Sequence, residues 1–454
     1  MTGNIKTMTD GKPLKLIFSF ALPLMIGNVF QQMYTVVDTM VVGQVLGVNA
    51  LAALGASDWL NWMMLSVIQG FAQGFSILMA QEFGAGHNKR LRKVVGNAIG
   101  LSIVCAAVLL VFGEAIVFPV LRLLQTPDAI IGQSVLYLRI MFAGIPVVMA
   151  YNLLASILRA LGDGKAPLHA MIVAAVINIV LDLLFVVGFR WGIAGAAAAT
   201  VIAQLSSSIY CYMHIRKIEI LSLDREDFRW EKELDWKLIV LGLPMAFQNA
   251  IISVGGMIVQ TVVNGFGVIF IAGFTATNKL YGVLEVAATS YGYAMITYAG
   301  QNLGAGKIDR IKKGMKSAVL IAVITAAMIA ACMLVFGHGI LGCFISGTPE
   351  EVEMTMKIAY HYLAIMSVCL PVLYILHVVR SALQGMGDTL LPMVSGIAEF
   401  VMRTGTAILL PMAIGEEGIF YAEILAWIGA DVILVSSYWI RMKKLEFRNG
   451  GNEN

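Results

Sequence analysis

The chain has 454 residues, 59% of them hydrophobic and only 13% charged, with a formal net charge of +3 and a mean hydropathy of +0.82. Soluble domains usually carry about a quarter charged residues, so these charges are too few to cover a water-facing surface and a large soluble helical protein is set aside. The +3 balance does not point to nucleic acid, because Lys and Arg gather beside apolar runs of about 20 residues or more, the length that spans a bilayer core.

In chain order, twelve transmembrane spans are predicted, at 14–42, 49–82, 94–118, 132–158, 166–188, 193–215, 237–264, 269–302, 315–342, 354–384, 390–413 and 418–441. Lipid-exposed backbone must satisfy its own hydrogen bonds, which favours helices. The first apolar run is too long for a signal peptide and reads as a retained helix. It holds Pro23, where the lost backbone donor permits a kink and makes a hinge candidate, and Asp38. The second span carries Asp58 and Asn61, which either join an acidic cluster or serve polar packing. Arg139 follows in the fourth, Asn178 and Asp182 in the fifth, and Thr200 in the sixth. Five cysteines are scattered without a CxxC spacing, so neither a metal site nor a disulfide framework is expected.

Basic residues alternate from side to side. Lys12, Lys15, Lys89, Arg90, Lys165, Arg225, Arg229, Lys312, Lys313, Arg441 and Lys443 fall on one side. The other has little beyond Arg122, Arg190 and Lys357, with acidic Glu350, Glu351, Glu416 and Glu417. The positive-inside rule places both termini and the central loop in the cytoplasm, and an even number of spans satisfies that.

The second half repeats the first. QEFGAGHNKRLRKVVGNAI from Gln81 aligns with QNLGAGKIDRIKKGMKSAV from Gln301, and YLRIMFAGIP from Tyr137 with YLAIMSVCLP from Tyr362. Pro23 matches Pro244, and Thr126-Pro127 matches Thr348-Pro349. Six spans per repeat make the repeats parallel, the arrangement of many secondary transporters. The expected organisation is an N-terminal lobe at 1–215, a charged cytoplasmic linker at 216–236, and a C-terminal lobe with a short tail at 237–454.

Ionisable residues inside a membrane are functional candidates by default. Asn178 and Asp182 are four apart and share a helix face. Counting back from the turn at Trp191-Gly192 puts Asp182 and Thr200 at similar depth, with Asp38 within about a helical turn of them. Two carboxylates, an amide and a hydroxyl would suit a small hard cation such as Na+, or a proton. The alternative is two separately neutralised aspartates, for which Arg139 is the nearby partner. In the repeat Asp182 falls opposite Ala407, Asn178 opposite Arg403, and Asp38 opposite Ile258 or Val259. The second lobe instead offers Glu399 and Arg403, four apart, as a structural ion pair. Its Lys279, Glu285, His377 and Arg380 belong either to a mutually neutralised network or to substrate contact and gating. No phosphate loop, HExxH or GxSxG motif is present, so an enzyme is not expected and energy must come from an ion gradient or the substrate's own.

Asp38 fifteen residues after Pro23, NIVLD in the fifth span, GIAGAAAAT leading into the sixth, and QEFGAG with QNLGAG resemble the multidrug and toxic compound extrusion (MATE) family over about residues 10–445. The resemblance implies a V-shaped pair of six-helix bundles exporting amphipathic or cationic drugs or toxic metabolites in exchange for H+ or Na+ by alternating access. The chain is further expected to be a multi-pass inner-membrane protein among lipids, monomeric, with no cofactor beyond the coupling ion and no nucleic-acid partner. Asp38, Asn178, Asp182 and Thr200 match the family's first-lobe cation or proton site. Gln31 and Asn152 match polar residues of that lobe's cavity, and Tyr34 is taken with them. Some members carry second-lobe carboxylates where this chain reads PMAFQNAII and PVLYILHVV, a departure that favours resemblance to the DinF-type branch. A lipid-linked-precursor flippase of the wider superfamily is the nearest alternative, and a channel or receptor a more distant one. The acidic first lobe counts against a flippase, whose cavity would be basic.

Overall fold

The computed structural model describes residues 5–345 and 348–450. Residues 1–4, 346–347 and 451–454, including the ends of both expected lobes, lie outside the described residues. Among the described residues the fold is all helical, with helices α1 (Pro13–Leu46), α2 (Val48–Gly84), α3 (Asn88–Leu123), α4 (Asp128–Ala143), α5 (Ile145–Ala160), α6 (Lys165–Asp182) and α7 (Ile193–Ile215). After two short turns follow α8 (Lys232–Val263), α9 (Val268–Gly304), α10 (Ile308–Gly342), α11 (Pro349–Gly385), α12 (Leu390–Ile414) and α13 (Ala422–Gly450).

Each of the twelve expected spans is helical. Among the described residues, ten helical stretches are long and apolar enough to cross a membrane, and the pair α4–α5, bent by 47° at Gly144, makes an eleventh. The remaining span, α9, is 37 residues long but richer in Thr, Tyr, Ser and Asn. Most of its second half is buried, so it need not present an apolar face to lipid. Elsewhere large apolar side chains point outward, as Ile103, Val111, Val335 and Met412 do, which is the surface that hydrocarbon demands.

Three local features depart from a set of straight helices. The fourth span breaks because Gly144 and Pro146 fall together. Its repeat counterpart runs unbroken through Pro371 in α11. The fifth span changes geometry instead of ending. After Asp182 the chain winds into a π-helical segment, Leu183–Gly188, which closes with the N–H of Phe189 donating to the carbonyl of Leu184. The twelfth span opens with a 3-10 segment, Glu416–Tyr421, ahead of α13.

The two QxxGAG motifs build the same turn. Gly86 and Gly306 take φ of 74° and 70°, a region where a β-carbon is crowded. Beyond the turn, Arg90 reaches back to Glu82 (2.9 Å) and Arg310 to Asn302 (3.1 Å), equivalent positions in the alignment.

By internal packing the chain divides into two compact units, one formed by residues up to Met8 with Leu22–Ala250 and the other by Thr9–Ala21 with Ile251 onward. The changeovers therefore fall inside α1 and α8, near Pro23 and its counterpart Pro244, and not in the 216–236 linker. The linker belongs to the first unit and is docked on α3. Arg92 pairs with Asp227 at 3.6 Å, Lys93 pairs with Glu231, and the Glu231 N–H donates to Asn97 Oδ1 at 3.3 Å. Gly96 permits this approach, since a β-carbon there would fall on the carbonyl oxygen of Asp227.

Candidate functional site

In the first unit, three helices bring the acidic residues together. Asp182 and Asn178 on α6 are fully buried, and Asp38 on α1 is 9% exposed. Asn178 Nδ2 donates to Thr200 Oγ1 on α7 across 3.4 Å, and Thr200 in turn donates to the carbonyl of Ala196 at 3.1 Å. The count from the Trp191 turn sets Thr200 level with Asp182; its bond is to Asn178, one turn earlier, and the stretch counted through is π-helical from Leu183 to Gly188. Thr200 is thereby largely occupied, while four oxygens are buried without a hydrogen-bond partner among the described residues: Oδ1 of Asp38, both of Asp182, and Oδ1 of Asn178. Asp38 and Asp182 lie within electrostatic reach of each other.

Unpaired buried acceptors are costly, by about 1–3 kcal/mol each and more when charged. Four that face no donor form a set suited to a species that brings only positive charge. One proton neutralises one of the two carboxylates and gives it a single O–H donor, and a small hard cation suits the oxygens as ligands. No group of three His, Cys, Asp or Glu close enough to hold a metal occurs among the described residues. A sodium ion would draw on the oxygens of Asp38, Asp182, Asn178 and Thr200.

Arg139 does not partner these aspartates. It is exposed and its guanidinium lies 3.7 Å from Glu114 of α3, so the separately neutralised alternative loses its cation. Tyr34 interacts with the side chains of Gln31 and Gln204 and is in electrostatic reach of Asp38. Asn152 spends its amide on the carbonyl of Val148, one turn earlier on α5 (2.8 Å). Asp58 is exposed on α2 yet within electrostatic reach of Asp38. Sequence reasoning missed Tyr137 on α4, which is buried and interacts electrostatically with Asp38, Asp58, Tyr34 and Asp182. Its position at the head of a repeated motif was the available signal.

The second unit holds an ionic network in place of a carboxylate pair. Arg403 Nη2 donates to Glu399 Oε1 (2.8 Å), its intrahelical partner, and also pairs with Glu423 of α13 (2.7 Å). Arg380 on α11 donates to the other oxygen of Glu399 at 2.6 Å. His377 lies 3.3 Å from Glu285 of α9. Lys279 is exposed on α9. Glu423 and Asp431 were not singled out from the sequence, although both lie in the twelfth predicted span.

A two-unit, all-helical, multi-pass chain with a one-sided carboxylate pair has the make-up of a membrane transporter. The family model MatE matches residues 23–184 and 244–409, nearly three-quarters of the chain. Two Bacillus subtilis (strain 168) proteins are 32% identical to it: the probable multidrug resistance protein YpnP over 90% of this chain and 91% of its own length, and the probable multidrug resistance protein YoeA over 76% and 75%. The fold superposes with a TM-score of 0.91 on an outward-facing multidrug resistance MATE family transporter of the MOP superfamily, at 20% identity and covering 98% of this chain and 99% of the other. The chain belongs to the MatE family, a family of membrane transporters and not of enzymes.

Proposed function

We propose that this chain is a secondary antiporter that exports amphipathic or cationic organic compounds in exchange for protons, by alternating access. The observation that carries the reading is the set of four buried oxygens on Asp38, Asp182 and Asn178 that have no hydrogen-bond partner among the described residues. Asp38 and Asp182 bind the coupling proton, Asn178 and Thr200 position them, and Tyr137 stands beside the pair. Sodium, where it acts, competes at the same carboxylates. Gln31, Tyr34 and Asn152 are the cavity residues of this half, and Pro23 is the hinge. The names of the two Bacillus subtilis relatives support drug-like substrates. A flippase for anionic lipid precursors fits less well, because the pair that would face its cargo is acidic.

The protein sits as a monomer in the inner membrane, among lipids, with both termini and the 216–236 linker in the cytoplasm. Cysteines introduced beside Asp128 and Glu350 should react with an impermeant reagent in intact cells, and those beside Arg225 and Lys312 should not. Labelling near Arg225 from outside overturns this orientation.

The deciding experiment uses proteoliposomes with separately imposed pH and sodium gradients. A proton gradient should drive drug movement, and Asp38→Asn with Asp182→Asn should abolish it. Undiminished drive by either ion in that double variant would place the coupling site elsewhere.

A further inference from the structure

The network of the second unit contains a residue that its own bonds leave over. Arg380 and Arg403 are held by Glu399 and Glu423, so two guanidiniums meet two carboxylates and this part closes at zero net charge. The contact of His377 with Glu285 closes a further pair when the imidazole is protonated. Asp431 remains. It lies eight residues beyond Glu423 on α13, about 12 Å along the helix axis. Its Oδ1 is buried and has no hydrogen-bond partner among the described residues.

Its surroundings are mixed in sign. α11 brings His377 and Arg380, and α12 brings Glu399 and Arg403. α9 brings Glu285 and Tyr281, whose ring stacks on Trp427 of α13 at 6.1 Å, and α13 itself adds Glu423. Of these, Arg380 and Glu399 are in direct electrostatic reach of Asp431. Arg380 is 8% exposed and its Nε is also without a hydrogen-bond partner. Among the described residues, an unpartnered donor and an unpartnered acceptor are thus in electrostatic reach of each other without being paired, while Glu399 holds the guanidinium.

We propose that Asp431 is a second proton-binding site, separate from the Asp38–Asp182 pair, which controls whether Arg380 stays with Glu399. Protonated Asp431 is neutral and leaves the Arg380–Glu399 contact undisturbed. When its proton passes to bulk water, the new carboxylate competes for Arg380 and loosens that contact. A proton fits better than a metal here, since no three metal-ligating side chains converge among the described residues.

The test reads protonation directly and needs no transport. Infrared difference spectra between acid and alkaline pH, recorded on the full-length protein in lipid nanodiscs, report the C=O stretch of protonated carboxyl groups. One such band should be lost in Asp431→Asn and retained in the Asp38→Asn/Asp182→Asn variant, which separates this proposal from the coupling reading above. Asp431→Glu should keep the band at a shifted frequency, and it carries the test if Asp431→Asn inserts poorly. An unchanged set of bands in Asp431→Asn, or an unmoved band in Asp431→Glu, overturns the proposal.

Discussion

Tyr137 and Tyr362 occupy the same place in the two repeats and keep different company. Tyr137 stands among Asp38, Asp58 and Asp182. Tyr362 lies in an aromatic stack, 4.8 Å from Phe274 and 4.9 Å from Phe420. The same divergence runs through their neighbours. Asn178 and Asp182 leave acceptors open, whereas their counterparts Arg403 and Ala407 supply a guanidinium bound on two sides and a methyl group. A shared backbone plan thus serves one half with acceptors left open and the other with charges largely closed upon each other. Buried ion pairs of the second kind contribute little net stability, yet breaking one by removing a single partner is expensive.

The comparison can be broken most directly in the first half. Asp182→Asn, and separately Asp38→Asn, should reduce gradient-driven drug export to the level of empty vesicles, while the protein still inserts and elutes as a single species. In the second half Glu399→Gln should act on stability first. It leaves Arg380 without an anionic hydrogen-bond partner and Arg403 with only one, a loss of about 3–5 kcal/mol that thermal unfolding in detergent would read. Removing Glu399 and Arg403 together is not silent, because Arg380 and Glu423 each lose a partner. The double variant should be no more stable than Glu399→Gln alone, because it leaves two buried charges short of a partner instead of one. A smaller effect is expected at Gly96→Ala, where the added methyl must displace the docked linker, at about 1–3 kcal/mol of overpacking. Limited proteolysis within 216–236 should accelerate in that variant. The smallest belongs to Arg139→Gln, an exposed pairing that should change stability by about 0–1 kcal/mol. Export should be unchanged; a loss as large as that of Asp182→Asn would mean that Arg139 neutralises the pair after all.

Much of this architecture could be read from the chain because bilayer thickness dictates span length; the depth count from Trp191 assumed a uniform α-helical rise, which the π-helical segment after Asp182 does not keep. What escaped was backbone geometry. Hydropathy registers Gly144-Ile145-Pro146 as apolar residues within a span, and the unbroken counterpart at Pro371 gave no warning of a 47° bend. The π-helical segment has no signature among Leu183, Leu184, Phe185, Val186 and Val187, since its cause is packing. Asp431 is a different case. It sits in the middle of a predicted span, and the rule that picked out Asp182 applied to it equally. The true partner of Arg139 was out of reach, because Glu114 is 25 residues away in sequence and only the packing of α3 against α4 joins them.

The wide turn after Asp182 has a mechanical consequence. A π-turn holds one residue more than an α-turn, so the fifth span carries one residue of slack directly beyond its carboxylate. Pulling that residue out of the turn would twist one side of the helix against the other by about 100°, the angular step of a single residue. The side chain of Asp182 sits at the junction, where the α-helical register ends. Its bearing is therefore set by where that wide turn begins, as the last tooth of a ratchet is set by the gap that follows it.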